Sequence, residues 1–347
     1  MTSMSEKTAT APRGDRATLA LVAASAAVSM STVSKVLNGR GGVSDSTRAR
    51  VEELLHDHGY NRRGTSQAAA LIELVFSELD TAWAIEIIRG VEAVARQNGM
   101  SVILTESGDH HSPGPEWIDG VLQRRPAGVI LVFSDLSAEH KRQLRTRNIP
   151  FVVVDPAGDP APDVPSVGSA NWAGGVLATR HLIELGHTDI AVISGPDDMM
   201  CSRARVSGFR SAMDAAGIPV QEEIIYGGNF HREDGIRRGI ELLSRPKPPT
   251  AVFAGSDLQA LGVYEAARSL GFKVPDDLSI VGYDDLQIAQ WAGPPLTTVR
   301  QPLIDMAEQA ARMVLRLRAG NHVGTMRVDL ATSLVVRSST SVPAIRS

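Results

Sequence analysis

Apolar residues along this chain follow two patterns. From about residue 71 onward, apolar runs of strand length recur: LIELVF (71–76), GVILVF (128–133), FVVVD (151–155), DIAVISG (189–195), TAVFAGS (250–256) and LSIVGYDD (278–285). Between them lie AIEIIRGVEAVARQNG, AGGVLATRHLIELG, RVSGFRSAMDAAG and DLQALGVYEAARSLG, each with apolar residues at helical spacing and each ending on Gly. Strands that are apolar throughout are buried on both faces. Their alternation with helices predicts an α/β fold of doubly wound parallel sheets covered on both sides. The length fits two lobes, with a break expected in the Pro/Asp-rich loop from Asp155 to Pro165. The expected lobes are about 72–161 with 296–319, and about 162–295 with 320–341.

Residues 17–63 follow a different period. Thr18 is placed to cap a helix running to about Ala26, and Ser29 a second from Met30 to Leu37, stopped by Asn38-Gly39. Ser44 opens a third, which Gly59 ends. Their apolar stripes are Leu19, Val22 and Ala23; Val33, Val36 and Leu37; Val51, Leu54 and Leu55. Together they predict one small all-α bundle ahead of the lobes. Residues 1–16 are polar and aperiodic and read as a disordered tail, and 64–71 as a short linker. The stretch from Thr18 to Gly39 also admits an export reading: Arg13 and Arg16 precede an apolar run that ends in Ala24-Ser25-Ala26, a small-residue cleavage pattern. That run is weakly apolar, with two Leu and one Val among Ala, Thr and Ser. The helical reading accounts for more: the caps, the Gly stop and a polar face of Met30, Ser31, Ser34 and Lys35. On residues alone both readings stand.

Composition narrows the classes. A chain of 347 residues exceeds one ordinary core, which implies two or three folding units. With 43% hydrophobic and 21% charged residues it is globular rather than disordered. Cys201 is the single cysteine, which excludes an intrachain disulfide and fits a reducing compartment. The net charge of −4 is unevenly spread: residues 1–63 hold nine Lys or Arg against six acids, leaving −7 for the rest. A basic head on an acidic body suits binding a polyanion with one end only. Asp109, His110 and His111 lack a further spaced ligand, and Glu222-Glu223 make a poor acid/base pair. Without a nucleophile motif or a phosphate-cradling Gly loop, the chain is expected to be no enzyme and to need no cofactor or metal.

Ligands of open α/β sheets sit beyond the carboxyl ends of the strands. That rule points to Trp83, Asp155, Asp257 and Asp284. Carboxylates and an aromatic ring suit a sugar, whose hydroxyls pair with the first and whose apolar face lies on the second. The bland alternative for Asp284-Asp285 is that one of them caps the next helix.

AVSMSTVSKVLNG followed by VSDSTRARVEELLHDHGY resembles the DNA-binding head of the lac repressor/galactose repressor (LacI/GalR) family of bacterial transcription regulators. LIELGHTDIAVISGP, RARVSGF, PDDLSIVGYDD, PPLTTVRQP and LATSLVVRSST continue the resemblance in family order, so that it covers about residues 17–341. It implies a helix-turn-helix head on two lobes like those of periplasmic sugar-binding proteins. In the head, Met30 and Ser31 match base-reading positions; Thr32, Ser34 and Lys35 match neighbouring base and phosphate contacts. Thr18, Ser29, Asn38, Arg40, Arg62 and Arg63 complete the expected DNA contacts. Effector contacts map onto Trp83, Arg205, Phe230, Asp257 and Asp284, with Asp80, Asp155 and Asn171 beside them.

The chain departs from the family pattern after Tyr60. The usual proline is replaced by Asn61-Arg62-Arg63, and Ala68, Ala69 and Ala70 stand where a minor-groove wedge leucine belongs. Leu21 replaces a usual acidic residue, and Ala27 the usual turn glycine. The implied function is a cytoplasmic, sugar-controlled repressor with no membrane segment. It acts as a homodimer on a near-palindromic operator in double-stranded DNA, pairing partly through the helix around Ile85, Ile88 and Val91. The rival classes are an exported sugar carrier and an enzyme of sugar metabolism.

Overall fold

The computed structural model describes residues 19–37, 42–57, 70–79, 81–107, 113–132, 136–321 and 324–344. The chain forms two compact units, a helical head and a larger body. In the head, helices α1 (Leu19–Ser25), α2 (Met30–Leu37) and α3 (Asp45–Asp57) enclose Val22, Ala23, Ala26, Val33, Val36, Leu37, Val51 and Leu55. Each stripe expected from the sequence supplies part of this core. Val28 and Leu54 pack against it half-buried.

The turn between α1 and α2 is closed by backbone bonds. Ala27 N–H donates to the Ala24 carbonyl (3.1 Å) and Val28 N–H to that of Ala23 (3.0 Å), a paired arrangement that requires a left-handed residue at its centre. Ala27 is that residue, with φ of +52°. Ser29 then caps α2, its Oγ accepting from Thr32 N–H at 3.1 Å, and Ser44 Oγ accepts from Thr47 N–H at 3.3 Å. Among the described residues no single helix is long and apolar enough to cross a membrane. The pair Leu19–Ser25 and Met30–Leu37 reaches the required length only together, across a bend of 105°. Thr18, Asn38 and Gly59, expected at helix boundaries, lie outside the described residues.

The body holds two sheets. The first is built from β1 (Leu71–Phe76), β2 (Ser101–Glu106), β3 (Gly128–Val132), β4 (Phe151–Val154) and β5 (Ser166–Ser169), with helices α4 (Ala82–Gln97), α5 (Pro115–Arg124) and α6 (Ala138–Thr146) between strands. The chain then makes the second sheet through α7 (Asn171–Glu184), β6 (Ile190–Ile193), α8 (Met200–Ala215), β7 (Ile225–Tyr226), α9 (Arg232–Leu243), β8 (Ala251–Ala254), α10 (Asp257–Ser269), β9 (Ser279–Asp284), α11 (Gln287–Trp291) and β10 (Thr297–Arg300). It returns with α12 (Leu303–Arg318) and β11 (Arg327–Leu330) to the first sheet and ends with β12 (Ser333–Val335) in the second. The strand orders are β11-β5-β4-β3-β1-β2 and β12-β10-β9-β8-β6-β7, parallel throughout except where β12 runs against β10.

This topology moves the expected lobe boundaries. The break is not in the Asp155–Pro165 loop, because β4 and β5 on either side of it pair in one sheet. The first lobe runs to Ser169, and β11 joins it; β10, expected there, belongs to the second. Short strands such as SVGS and the edge strand RVDL lack the long apolar runs that mark a buried strand in the sequence. The chain therefore crosses between lobes three times: after β5, after β10 and between β11 and β12.

Helices α4 and α12 cover one face of the first sheet, burying Ile87, Val91 and Val94 with Met306, Ala310 and Val314. Val91, expected on a pairing surface, is thus part of the core. Ile85, 54% exposed on α4, is open to solvent. The acid inside LIELVF is also accounted for. Buried Glu73 accepts from Arg124 at 2.6 and 3.1 Å, from Trp117 Nε1 at 3.2 Å and from Thr105 at 3.0 Å, so the charge is paired and its lone pairs are used. In the second lobe, buried His187 meets Thr250 (2.8 Å), Ser279 (3.0 Å) and the Ser341 carbonyl (2.9 Å), tying the last segment of the chain to the sheet.

Ala27→Gly removes the Cβ that disfavours the left-handed region and is expected to stabilise the head by up to about 1 kcal/mol. Slower amide exchange at Val22 and Val33 is the expected readout; faster exchange would contradict the strain assigned to Ala27.

Candidate functional site

One face of α2 is open. Met30, Ser31, Ser34 and Lys35 are exposed, while Val33, Val36 and Leu37 point into the bundle. The spacing 30, 31, 34, 35 puts four polar or flexible side chains on one helical stripe, narrow enough for a major groove. Ser29 Oγ lies 2.7 Å from Ser31 Oγ and 2.9 Å from Thr32 Oγ1, which orders the first turn of that stripe. Arg40, Arg62 and Arg63, like Thr18 and Asn38, lie outside the described residues, so the departure after Tyr60 does too.

The second feature is a cleft between the lobes of the body, at the carboxyl ends of both sheets. The first lobe contributes Phe76, Ser77 and Glu78 from the end of β1, and Trp83 and Ala84 from the first turn of α4. Thr81 caps that helix, its Oγ1 accepting from Ala84 N–H at 3.2 Å. The second lobe contributes Met199, Arg205, Phe230, His231, Asp284 and Leu286. His231 Nε2 stands 3.4 Å from Glu78 Oε2, an ion-pair contact that spans the two lobes when the imidazole is protonated.

Arg205, on α8, is 4% exposed. Its Nε donates to Asn171 Oδ1 (2.9 Å) and its Nη1 to the Gly255 carbonyl (2.5 Å). The guanidinium carbon lies 3.8 Å from the Tyr283 ring centroid and 5.3 Å from that of Phe230. Phe230 is held by a left-handed backbone (φ +66°) and by its carbonyl, which accepts from Ser256 Oγ at 2.8 Å. Its ring fills the space beside Gly195, where a Cβ would come within 2.0 Å of it. Core packing describes only the back of this ring; it is half-buried and lines the cleft.

Asp284 ends β9, and its Oδ1 accepts from Gln301 Nε2 at 2.6 Å. Gln301 Oε1 in turn accepts from Ser169 Oγ at 2.6 Å, so a chain of bonds runs from the cleft in the second lobe to the last residue of β5 in the first. Burial raises the Asp284 carboxyl to about 7, against the pull of Arg205 and the Gln301 bond.

Of the eight expected effector residues, Trp83, Arg205, Phe230 and Asp284 meet in the cleft. Asp80 lies outside the described residues. Asp257 is not on the cleft: fully buried, it accepts from Thr298 Oγ1 (2.5 Å) and Leu286 N–H (2.8 Å), and joins α10 to β10. Asp155 and Asn171 sit behind Arg205, away from the cleft lining. Neither of Asp284 and Asp285 caps α11; Asp285 pairs with Arg300 (2.6 Å) and Arg337 (2.5 Å). Glu78, Met199, His231 and Leu286 line the cleft without having been anticipated. They follow strands or precede helices, where only the strand-end rule gave a signal.

A head that exposes a polar helix and a two-lobed body with a ligand-sized cleft define a ligand-responsive DNA-binding regulator. The chain belongs to the LacI family of bacterial regulatory proteins. The model described as bacterial regulatory proteins, lacI family, matches residues 18–63, and that of a periplasmic binding protein-like domain matches 179–340. The HTH-type transcriptional regulator CelR of Thermobifida fusca is 35% identical over 94% of this chain and 99% of its own length. The HTH-type transcriptional repressor CytR of Escherichia coli (strain K12) is 33% identical over 93% of this chain and 96% of its own. Among solved structures, the CelR–cellobiose complex superimposes with a TM-score of 0.72 at 33% identity, covering 93% of this chain and 100% of that one. The lac repressor dimer bound to operator and the anti-inducer ONPF does so with 0.68 at 27% identity, covering 94% and 100%.

Asp284 carries a proton in the folded protein at pH values where an unfolded aspartate, titrating near 3.9, has lost it. The stability this brings is complete below pH ~4 and is lost as the pH rises through about 7. Thermal midpoints of the wild type should therefore fall between about pH 5 and pH 8, and Asp284→Asn should flatten that slope. An unchanged slope would place the titration on another group.

Proposed function

We propose that this protein is a repressor of carbohydrate-utilisation genes. In this reading, its dimer grips an operator in double-stranded DNA and changes that grip when a small sugar or sugar derivative enters the cleft. The observation that carries it is the coexistence on one chain of an exposed, capped α2 face and a cleft that sets Arg205 and Asp284 beside Trp83 and Phe230. The cellobiose complex of CelR and the operator complex of the lac repressor, both similar to this chain, support the pairing of these two roles.

Met30 and Ser31 read base edges, with Thr32, Ser34 and Lys35 on neighbouring bases and phosphates and Ser29 ordering the turn. Thr18, Asn38, Arg40, Arg62 and Arg63 add contacts to the backbone or the minor groove. One short helix spans few bases, so a homodimer places two heads on two half-sites. Ile85, on the solvent side of α4, belongs to the pairing surface. The protein acts in the cytoplasm, on the chromosome.

In the cleft, the Arg205 guanidinium donates to ring hydroxyls and Asp284 accepts from them, while Trp83 and Phe230 hold the apolar face of the ring. Because Asp284 is bonded through Gln301 to Ser169 in the other lobe, a ligand that recruits Asp284 changes the balance of bonds across the lobes. Regulation then follows from unequal effector affinity for the two lobe arrangements.

Footprinting of the full-length protein on its neighbouring upstream regions, with and without a panel of sugars, tests the reading. The double variant Ser31→Ala/Lys35→Ala should weaken operator binding by about 1–3 kcal/mol, and Lys35→Ala alone should lower the salt slope by about one. Undiminished binding by the double variant would sink the assignment of α2. Gly195→Ala should weaken sugar binding by displacing the Phe230 ring while leaving operator affinity without sugar intact. Equal sugar affinity in titration calorimetry would remove Phe230 from the site.

A further inference from the structure

Three helices of the first lobe end on arginine. The last turn of α4 holds Arg96, that of α5 Arg124, and that of α12 Arg316 and Arg318, while Arg125 follows α5 directly. Helix α4 leads to the start of β2, α5 to that of β3 and α12 towards that of β11. All three therefore end at the amino ends of the parallel strands, on the side of the sheet away from the cleft. Ser101 N–H donates to the Ala70 carbonyl (2.8 Å) and Ala127 N–H to that of Leu71 (2.7 Å), so the segments after α4 and α5 flank the start of β1. Arg318 Nη1 lies 4.0 Å from Met100 Sδ, which brings the end of α12 to the same place.

The charge on this end is one-sided. No acid occurs in 93–105, 120–134 or 309–328, although residues 64–347 together carry −7. Glu92 pairs with Arg96 at 3.1 Å, and buried Glu73 with Arg124 at 2.6 Å. Arg125, Arg316 and Arg318 have no acid within ion-pair distance among the described residues, and both arginines of α12 are exposed. A basic last turn also suits the helix dipole, but that effect acts alike in both lobes. In the second lobe α8, α9 and α11 end without a basic residue, and α7 ends with His181. The Arg268 that ends α10 is paired with Glu265 at 2.6 Å. The dipole therefore does not account for the bias. What sets the first lobe apart is that the chain from the head enters it at this end, through residues 58–70 into β1.

We infer that this arginine-bearing end of the first lobe is a second DNA surface, which holds phosphates of double-stranded DNA beside the half-site without reading their sequence. Guanidinium groups match phosphate oxygens, which accept paired N–H bonds from them. On a body that is acidic elsewhere, an end free of acids is also the side that a polyanion approaches without repulsion. The surface rests on the proposed reading of α2 for the position of the DNA. It adds salt-dependent affinity, whereas α2 adds the choice of sequence.

The test is titration of the full-length protein, without sugar, into a fluorescein-labelled mixed-sequence duplex of about 40 base pairs, between about 50 and 200 mM KCl. Arg125→Ala/Arg316→Ala/Arg318→Ala should bind about tenfold or more weakly at the lowest salt, and its slope of log K against log salt should fall by about two to three. Arg125→Lys/Arg316→Lys/Arg318→Lys should restore the slope, because each lysine still neutralises a phosphate. Arg180→Ala/Arg210→Ala/Arg268→Ala, exposed positions of the second lobe, lowers the net charge equally and should leave the slope as in the wild type. Ser31→Ala/Lys35→Ala separates the two assignments. Weakened binding by this variant, with a wild-type slope in the first-lobe alanine variant, overturns the inference and keeps α2 on the DNA. The opposite pair of results keeps the inference and removes α2. Absence of binding by the wild type, or an equal loss of slope in the second-lobe variant, also overturns the inference.

Discussion

The body is organised around one buried cation. A guanidinium removed from water is tolerable only if its donors and its charge are matched, and Arg205 finds those matches on separate elements. Asn171 opens α7, Gly255 follows β8, Tyr283 lies in β9, and Phe230 stands in the loop before α9. Each partner has to be in place for the charge to be satisfied, so the arginine fixes where the ends of these elements meet. The cleft is the side of that assembly left open to a ligand.

Carboxylates around this centre differ in their surroundings and hence in their roles. Asp257 has both oxygens occupied by Thr298 and Leu286 and serves the fold. Asp285 is neutralised by two arginines. Asp284 gives one oxygen to Gln301 and still lines the cleft, and Asp155 keeps an oxygen without a donor. Four aspartates that look alike in the sequence are separated by the hydrogen bonds that reach each of them. Acids with unmet bonding capacity are the ones available to ligands.

Much of the architecture was legible before any coordinates. The apolar runs identified β1, β3, β4, β6, β8 and β9 because central parallel strands are buried on both faces. Polar or short edge strands, such as SVILTE in β2 and RVDL in β11, carry no such signal. That is why the lobe boundary was misplaced and β10 was assigned to the wrong sheet. In the head, local chemistry sufficed: Ser29 and Ser44 cap as their positions imply, and Ala27 takes the left-handed turn in the place where the resemblance implies a glycine.

By itself the sequence determined the local choices: helices with caps and stripes, buried parallel strands, and candidate polar residues at strand ends. These depend on neighbours within a few positions, where periodicity and side-chain type act directly. Tertiary structure alone decided which acids share a cavity, that Val91 faces the core while Ile85 faces solvent, and that Asn171 supports Arg205 from behind. Those outcomes depend on strand order and on three passages of the chain between lobes. Each brings together residues more than a hundred positions apart, such as Ser169 with Gln301, and no local pattern encodes such a meeting.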